Sequence, residues 1–185
     1  SFAKLAYVSA WLKYYYPAEF MAANLSSEIN DTDRLMTLID ECKNMSLNIV
    51  SPNINLSVSD FSVQNGQTII YGLAGLKGVG SKAVDQIVNH RSECGTVESM
   101  IDLCLIPGQA INKKVLESLI QSGACDDMEG SRAQKFAIIE DVIKYAQKNK
   151  SATNISQESL FGADDDSTQY MLSSLLLMNG QMMKN

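Results

Sequence analysis

The sequence predicts a mainly α fold interrupted by one small β-hairpin, and three observations carry that prediction. Apolar residues recur at i, i+3 and i+4 through most of residues 3–46 and again through 81–148. An Asn65-Gly66 pair sits between two short alternating apolar runs, the strongest short-range hairpin signal. The stretch Leu76-Lys77-Gly78-Val79-Gly80-Ser81-Lys82 then leads through two glycines into a long amphipathic segment. With 185 residues, 45% hydrophobic and 19% charged, the chain can bury a sizeable core.

Taken in order, residues 3–16 read as a helix rich in aromatics, with Tyr7, Trp11 and Tyr14 or Tyr15 on one face. We expect that face to be an aromatic core stripe rather than a platform for stacking bases. Pro17 ends this helix and serves as the first residue of the next, which runs to about Ser26. Asp31 is a natural N-cap for a third helix that turns Leu35, Leu38, Ile39 and Cys42 inward. Leu47 to Val50 is short and β-branched, and Phe61–Val63 and Thr68–Tyr71 flank Gln64–Gln67 as a hairpin. Ala83, Val84, Ile87 and Val88 define a helix from Ser81 to Arg91 that Gly95 closes. A short helix near Glu98–Leu103 and a Pro107-Gly108 turn follow. Asn112 caps Lys113–Gln121, with Val115, Leu116, Leu119 and Ile120 inward and Gly123 at the C-terminus. Gln121–Cys125 reads as a second, degenerate hairpin with one glycine in place of two. One further helix is expected from Arg132 to about Lys148, built on Phe136, Ile139, Val142, Ile143 and Ala146.

The glycine stretch carries the chemistry. Gly78 and Gly80 can take φ > 0, and lacking a Cβ they let a flat ligand reach the main-chain N–H groups. Ser81 can cap the helix that follows, whose first turn offers unpaired N–H groups and the positive end of a dipole. Lys77 and Lys82 add full charges. Such a loop holds an anion, most commonly a phosphodiester. The apolar-x-Gly-apolar-Gly spacing matches the hairpin of a helix-hairpin-helix motif, a DNA-backbone clip that does not read sequence. Lys77, Gly78, Val79, Gly80, Ser81 and Lys82 are therefore the candidate DNA-binding residues. The same spacing also fits a plain glycine turn between two helices. The net charge of −6 is the wrong sign for a free-standing nucleic-acid binder. Between Leu76 and Arg91, however, Lys77, Lys82 and Arg91 outnumber Asp85, so a DNA contact here is local.

Other function classes find little support. Cys42, Cys94, Cys104 and Cys125 form no C-x-x-C pair, and His90 is the only histidine, so no zinc pattern is present. The cysteines read as reduced core thiols of a cytoplasmic protein, and no apolar run is long enough to span a membrane. A start at Ser1-Phe2 suggests a piece of something longer. From Asn149 the chain turns polar, leaving Gln157-Glu158-Ser159-Leu160-Phe161 as an isolated apolar pair before Asp164–Asp166. Two such residues make no core. They read as a short linear motif for a partner's pocket, or else as a loop tucking an aromatic onto the domain.

Four stretches in this order carry a family resemblance. Ala10-Trp11-Leu12-Lys13-Tyr14-Tyr15-Tyr16-Pro17-Ala18-Glu19-Phe20-Met21-Ala22-Ala23 resembles the end of the fingers domain in the C-family replicative DNA polymerases, the alpha subunits of bacterial DNA polymerase III. Ile70–Gly80 is similar to that family's helix-hairpin-helix entry, and Asn112–Ile120 with Gly123-Ala124 to its second half. Gln157, Leu160 and Phe161 match its internal sliding-clamp-binding motif. The resemblance covers about residues 1–162 and implies four regions: 1–46 as the helical C-terminal part of the fingers, 47–72 as a β-hairpin connector, 73–148 as a tandem helix-hairpin-helix DNA-binding domain, and 149–185 as a linker with the clamp motif and an unassigned tail. It further implies a parent DNA-directed DNA polymerase (a nucleotidyltransferase) with Mg²⁺ in an upstream palm. This segment would carry no catalytic carboxylate and no cofactor. The implied partners are double-stranded primer-template DNA, the sliding clamp (beta subunit) and other replicase subunits. A free-standing helix-hairpin-helix module of repair or recombination is the alternative, and it leaves the fingers-like start unexplained.

Overall fold

The structure, a computed structural model, describes residues 2–155. It is mainly helical, with eight α-helices and one three-stranded sheet among the described residues. Helix α1 (Phe2–Tyr15) breaks at Tyr16, and α2 (Pro17–Ser27) begins with Pro17 in its first turn, where a missing N–H costs nothing. Helix α3 (Thr32–Asn44) is capped by Asp31, whose carboxylate accepts from the Arg34 N–H at 3.1 Å. Its far end is closed by Ser46 at φ 59, with the Leu47 N–H donating to the Cys42 carbonyl at 2.9 Å.

Strands β1 (Asn48–Val50), β2 (Ser62–Val63) and β3 (Thr68–Ile70) form a sheet in the order β1-β3-β2. The expected hairpin is β2 with β3, antiparallel, pairing Ser62 with Ile70 and Val63 with Ile69. The short run at Leu47–Val50 supplies a third strand, β1, parallel to β3 with Ile49 opposite Ile69. Ala18, Met21 and Leu25 of α2, Leu35 and Cys42 of α3, Phe61 and Ile69 form a first buried cluster around this sheet.

A second, larger cluster gathers the rest. Here α4 (Ser81–Cys94), α5 (Met100–Leu105), α6 (Lys113–Ser122), α7 (Arg132–Ala137) and α8 (Ile139–Ile155) contribute Val84, Ile87, Leu103, Leu116, Leu119, Ile139 and Val142, among others. The loop over residues 51–60 straps the two clusters together. Ile54 is fully buried in the larger one, and its N–H donates to the Ala124 carbonyl at 2.7 Å. The Asn55 amide pairs both ways with the Val97 backbone. Phe61 N–H reaches back to Ser26 Oγ on α2 at 3.0 Å.

Several expectations are corrected. The aromatic face of α1 is not a core stripe: no residue of that helix is buried, and Tyr7 and Tyr14 are 70% and 78% exposed. Because α1 is apolar on every side, spacing alone could not show which side meets α2. The helix expected over Arg132–Lys148 is broken at Ile138, where the redirected chain lets the adjacent Ile138 and Ile139 both enter the core. The short helix starts at Met100 rather than Glu98, because Ser99 and Asp102 form a reciprocal capping box. Cys94 is exposed rather than a core thiol, whereas Cys42, Cys104 and Cys125 are buried. Burial pushes the Cys42 and Cys125 thiols up to about 11 and about 12.

Ser46 holds a left-handed conformation that glycine adopts without steric cost. Ser46→Gly is expected to stabilise the fold by about 0.5–1 kcal/mol. In urea titration the midpoint should rise with the slope unchanged.

Candidate nucleic-acid interface

The candidate loop hangs between a single 3-10 turn (Leu73–Gly75) and α4. Leu73 and Val79 are buried in the larger core, and the Val79 N–H closes a turn onto the Leu76 carbonyl at 3.1 Å. One buried side chain thus pins the middle of a loop whose other members, Lys77, Gly78, Gly80, Ser81 and Lys82, are all exposed.

The two glycines do different work. Gly78 sits at φ +90, and a Cβ there would lie 2.6 Å from Ser118 Oγ and 3.4 Å from Lys114 Cε. It needs glycine twice over, for its backbone and for the approach of α6. Gly80 departs from expectation: its φ is −78, and a Cβ would meet nothing within 4 Å. Gly80, not Ser81, is the N-cap of α4, and no side chain caps that end. Ser81 is the first helical residue, so its hydroxyl leaves the end uncapped. Among the described residues the N–H groups of Gly78, Gly80, Ser81 and Lys82 have no acceptor. All four residues are exposed, and Gly80, Ser81 and Lys82 open a helix N-terminus.

Charge follows the same side. Lys77, Lys82 and Lys114 make no ion pair with a described residue, whereas Lys113 is tied to Glu140 at 2.6 Å. Lys114 and Ser118 escape sequence reading because they lie more than thirty residues downstream of the loop, and only the fold brings α6 against Gly78. Arg91, by contrast, leaves the basic group. Its Nη1 donates to the Ile54 and Ser57 carbonyls, both at 2.7 Å, so it fastens the strap to α4.

The second hairpin is sealed. Arg132 Nε donates to Asp126 Oδ1 at 2.8 Å and its Nη2 to Oδ2, a two-pronged pair that holds the Asp126 carboxyl below its ordinary range. The guanidinium covers Gly123, which caps α6 in the left-handed region at φ +85. Behind it Lys135, buried in spite of its charge, donates to the Cys125 carbonyl at 2.7 Å. This loop has already spent its cation on itself.

Gln157, Leu160 and Phe161 lie outside the described residues, as does the acidic run at Asp164–Asp166. Among the described residues no group of three or more His, Cys, Asp or Glu side chains is placed to hold a metal ion. No described helix is long and apolar enough to cross a membrane.

Residues 46–135 match the family described as the helix-hairpin-helix motif. Similar proteins of known name align over nearly the whole chain. A DNA polymerase III subunit alpha of Buchnera aphidicola (subsp. Schizaphis graminum) is 36% identical over 97% of this chain and 16% of its own length. One from Xylella fastidiosa (strain Temecula1) is 38% identical over 91% of this chain and 14% of its own. One from Escherichia coli (strain K12) is 36% identical over 88% of this chain and 14% of its own. The chain therefore spans about one-seventh of the length of these relatives.

The difference between the glycines is measurable. Gly78→Ala should cost about 1–3 kcal/mol, combining a strained φ with the clash against Ser118. Gly80→Ala should cost at most about 1 kcal/mol, the loss of a fair N-cap. Denaturant titration of the two variants, run side by side, checks the order.

Proposed function

The chain is homologous to one segment of the DNA polymerase III alpha subunits, and from that premise we propose that it forms part of a replicative DNA polymerase and holds duplex DNA by its backbone. The observation that carries this reading is the run of unpaired N–H groups on the exposed residues Gly78, Gly80, Ser81 and Lys82, in a loop that holds Lys77 and Lys82 and that Lys114 approaches. A phosphodiester oxygen accepts from those N–H groups while the lysines offset its charge. Such contacts position the duplex without reading bases. The open first hairpin and the sealed second one make this a single clip. Alignment through the helical start, over 97% of the chain in one relative, favours the polymerase over a free-standing repair module.

Catalysis is not assigned to this chain. In the family reading, the carboxylates and Mg²⁺ of the parent enzyme belong to a palm region outside it, and no step here is routed through a metal. The segment's part is to hold the primer-template behind the site of synthesis.

We further propose that Gln157, Leu160 and Phe161 tether the polymerase to a sliding clamp. Gln157 would bond at the rim of the clamp's pocket while Leu160 and Phe161 fill it. Burying two such side chains is worth roughly 3–6 kcal/mol gross, less the ordering of the linker. Avidity raises a micromolar grip once the DNA is also held.

Two experiments test these readings. Lys77→Ala/Lys82→Ala should weaken binding to duplex DNA at least about tenfold and flatten the plot of log K against log salt by about 1.8, at roughly 0.9 per phosphate. The loss should be the same for unrelated sequences, and Lys43→Ala, a base paired with Asp40 on α3, should change nothing. A sequence preference, or an unchanged salt slope, contradicts the clip. For the tether, the 185-residue chain should bind a purified bacterial clamp near micromolar, and Leu160→Ala/Phe161→Ala should abolish that binding. No binding by the folded wild-type chain rules it out.

A further inference from the structure

A groove of about 690 Å³ lies at the start of α6, beside Lys113, between the Gly108–Asn112 connection and α8. Cys104, Ile111, Ile143 and Ala146 give it an apolar floor, and Gln109 and Gln147 stand among its polar lining. Apolar recesses of this size with a few polar groups at the edge are the usual form of a side-chain binding site. Its place on α8 limits what can fill it. Ala146 and Gln147 lie on α8, which runs to Ile155 ahead of the polar stretch. From Ala146 to Ile155 the helix rises about 14 Å. Residues 156–160, fully extended, span about 17 Å. That span exceeds the rise of about 14 Å, so the chain after α8 is long enough for Leu160 and Phe161 to reach the groove at Ala146. Leu160-Phe161 is the first pair of adjacent large apolar residues after α8.

We infer that Leu160 and Phe161 seat in this groove when no clamp is bound, and that they leave it to enter the clamp. The two sequence readings of that pair, a tucked loop and a partner motif, then describe two states of one segment. A short tether gives the intramolecular contact a millimolar effective concentration. Even a modest seat therefore lowers the fraction of motif available, and the apparent clamp affinity falls by that fraction. The groove acts as a brake that releases when the polymerase is delivered to a clamp on DNA. The brake rests on the clamp reading above, but the seat does not.

Methyl NMR on the 185-residue chain tests the seat without any clamp. Leu160→Ala/Phe161→Ala should shift the methyl resonances of Ile111, Ile143 and Ala146 and leave that of the distant core residue Ile69 in place. Groove methyls that do not move overturn the proposal. Clamp titration then tests the brake: Ile143→Glu should tighten apparent binding about three- to tenfold. Gln147→Trp, which fills the groove from an exposed position and spares the core, should act in the same direction. Shifted methyls with unchanged clamp affinity in both folded variants overturn the brake. Shifted methyls with no clamp binding by any form overturn the clamp reading and uphold the seat.

Discussion

The candidate DNA face depends on one contact, the approach of α6 to a backbone that carries no Cβ at Gly78. Val79 is buried on one side of the loop, and Ser118 stands against Gly78 on the other. The N–H groups of Gly78, Gly80, Ser81 and Lys82 are left without an acceptor among the described residues. The same contact lays the Lys114 stem beside the loop, so the packing that fixes the geometry also adds to the charge. An acidic chain thereby acquires a locally basic face without changing its net charge of −6.

The two hairpins differ in their local chemistry. In the first, no side chain reaches the helix N-terminus, because its N-cap is Gly80. In the second, Ser131 caps α7 in a reciprocal box with Gln134, and the Arg132–Asp126 pair closes over Gly123. The capped and paired hairpin gains local stability, and its guanidinium is bonded to Asp126. The uncapped one forgoes a contribution of about 1 kcal/mol and leaves its first N–H groups unpaired. The buried Lys135 belongs to the same economy, since its ammonium serves a carbonyl of the sealed loop and is unavailable to any ligand.

The strap over residues 51–60 explains why the sheet and the helical cluster act as one support. Arg91, Asn55 and Ile54 bind it to the helices through backbone carbonyls and amides, while Phe61 binds it to α2. Desolvation lowers the Arg91 pKa, as a half-buried guanidinium requires, yet its two carbonyl partners keep it bonded. A base counted with the candidate loop's cations thus holds the strap to α4.

What the sequence determined by itself were the features set by neighbours a few residues apart. The N-caps at Asp31 and Asn112, the Asn65-Gly66 hairpin, the inward faces of α3 and α6 and the left-handed Gly123 all follow from local spacing and local stereochemistry. The loop at Lys77–Lys82 was legible for the same reason, as was the family. Only the tertiary structure decided which glycine was constrained by what. It also decided that β1 pairs with β3, that Arg91 turns inward, and that Lys114 and Ser118 join the site. The exposure of α1 belongs here too, since a helix apolar on every side gives no hint of the side that will meet its neighbour. Each of these depends on elements far apart in the chain, where packing rather than periodicity sets the outcome.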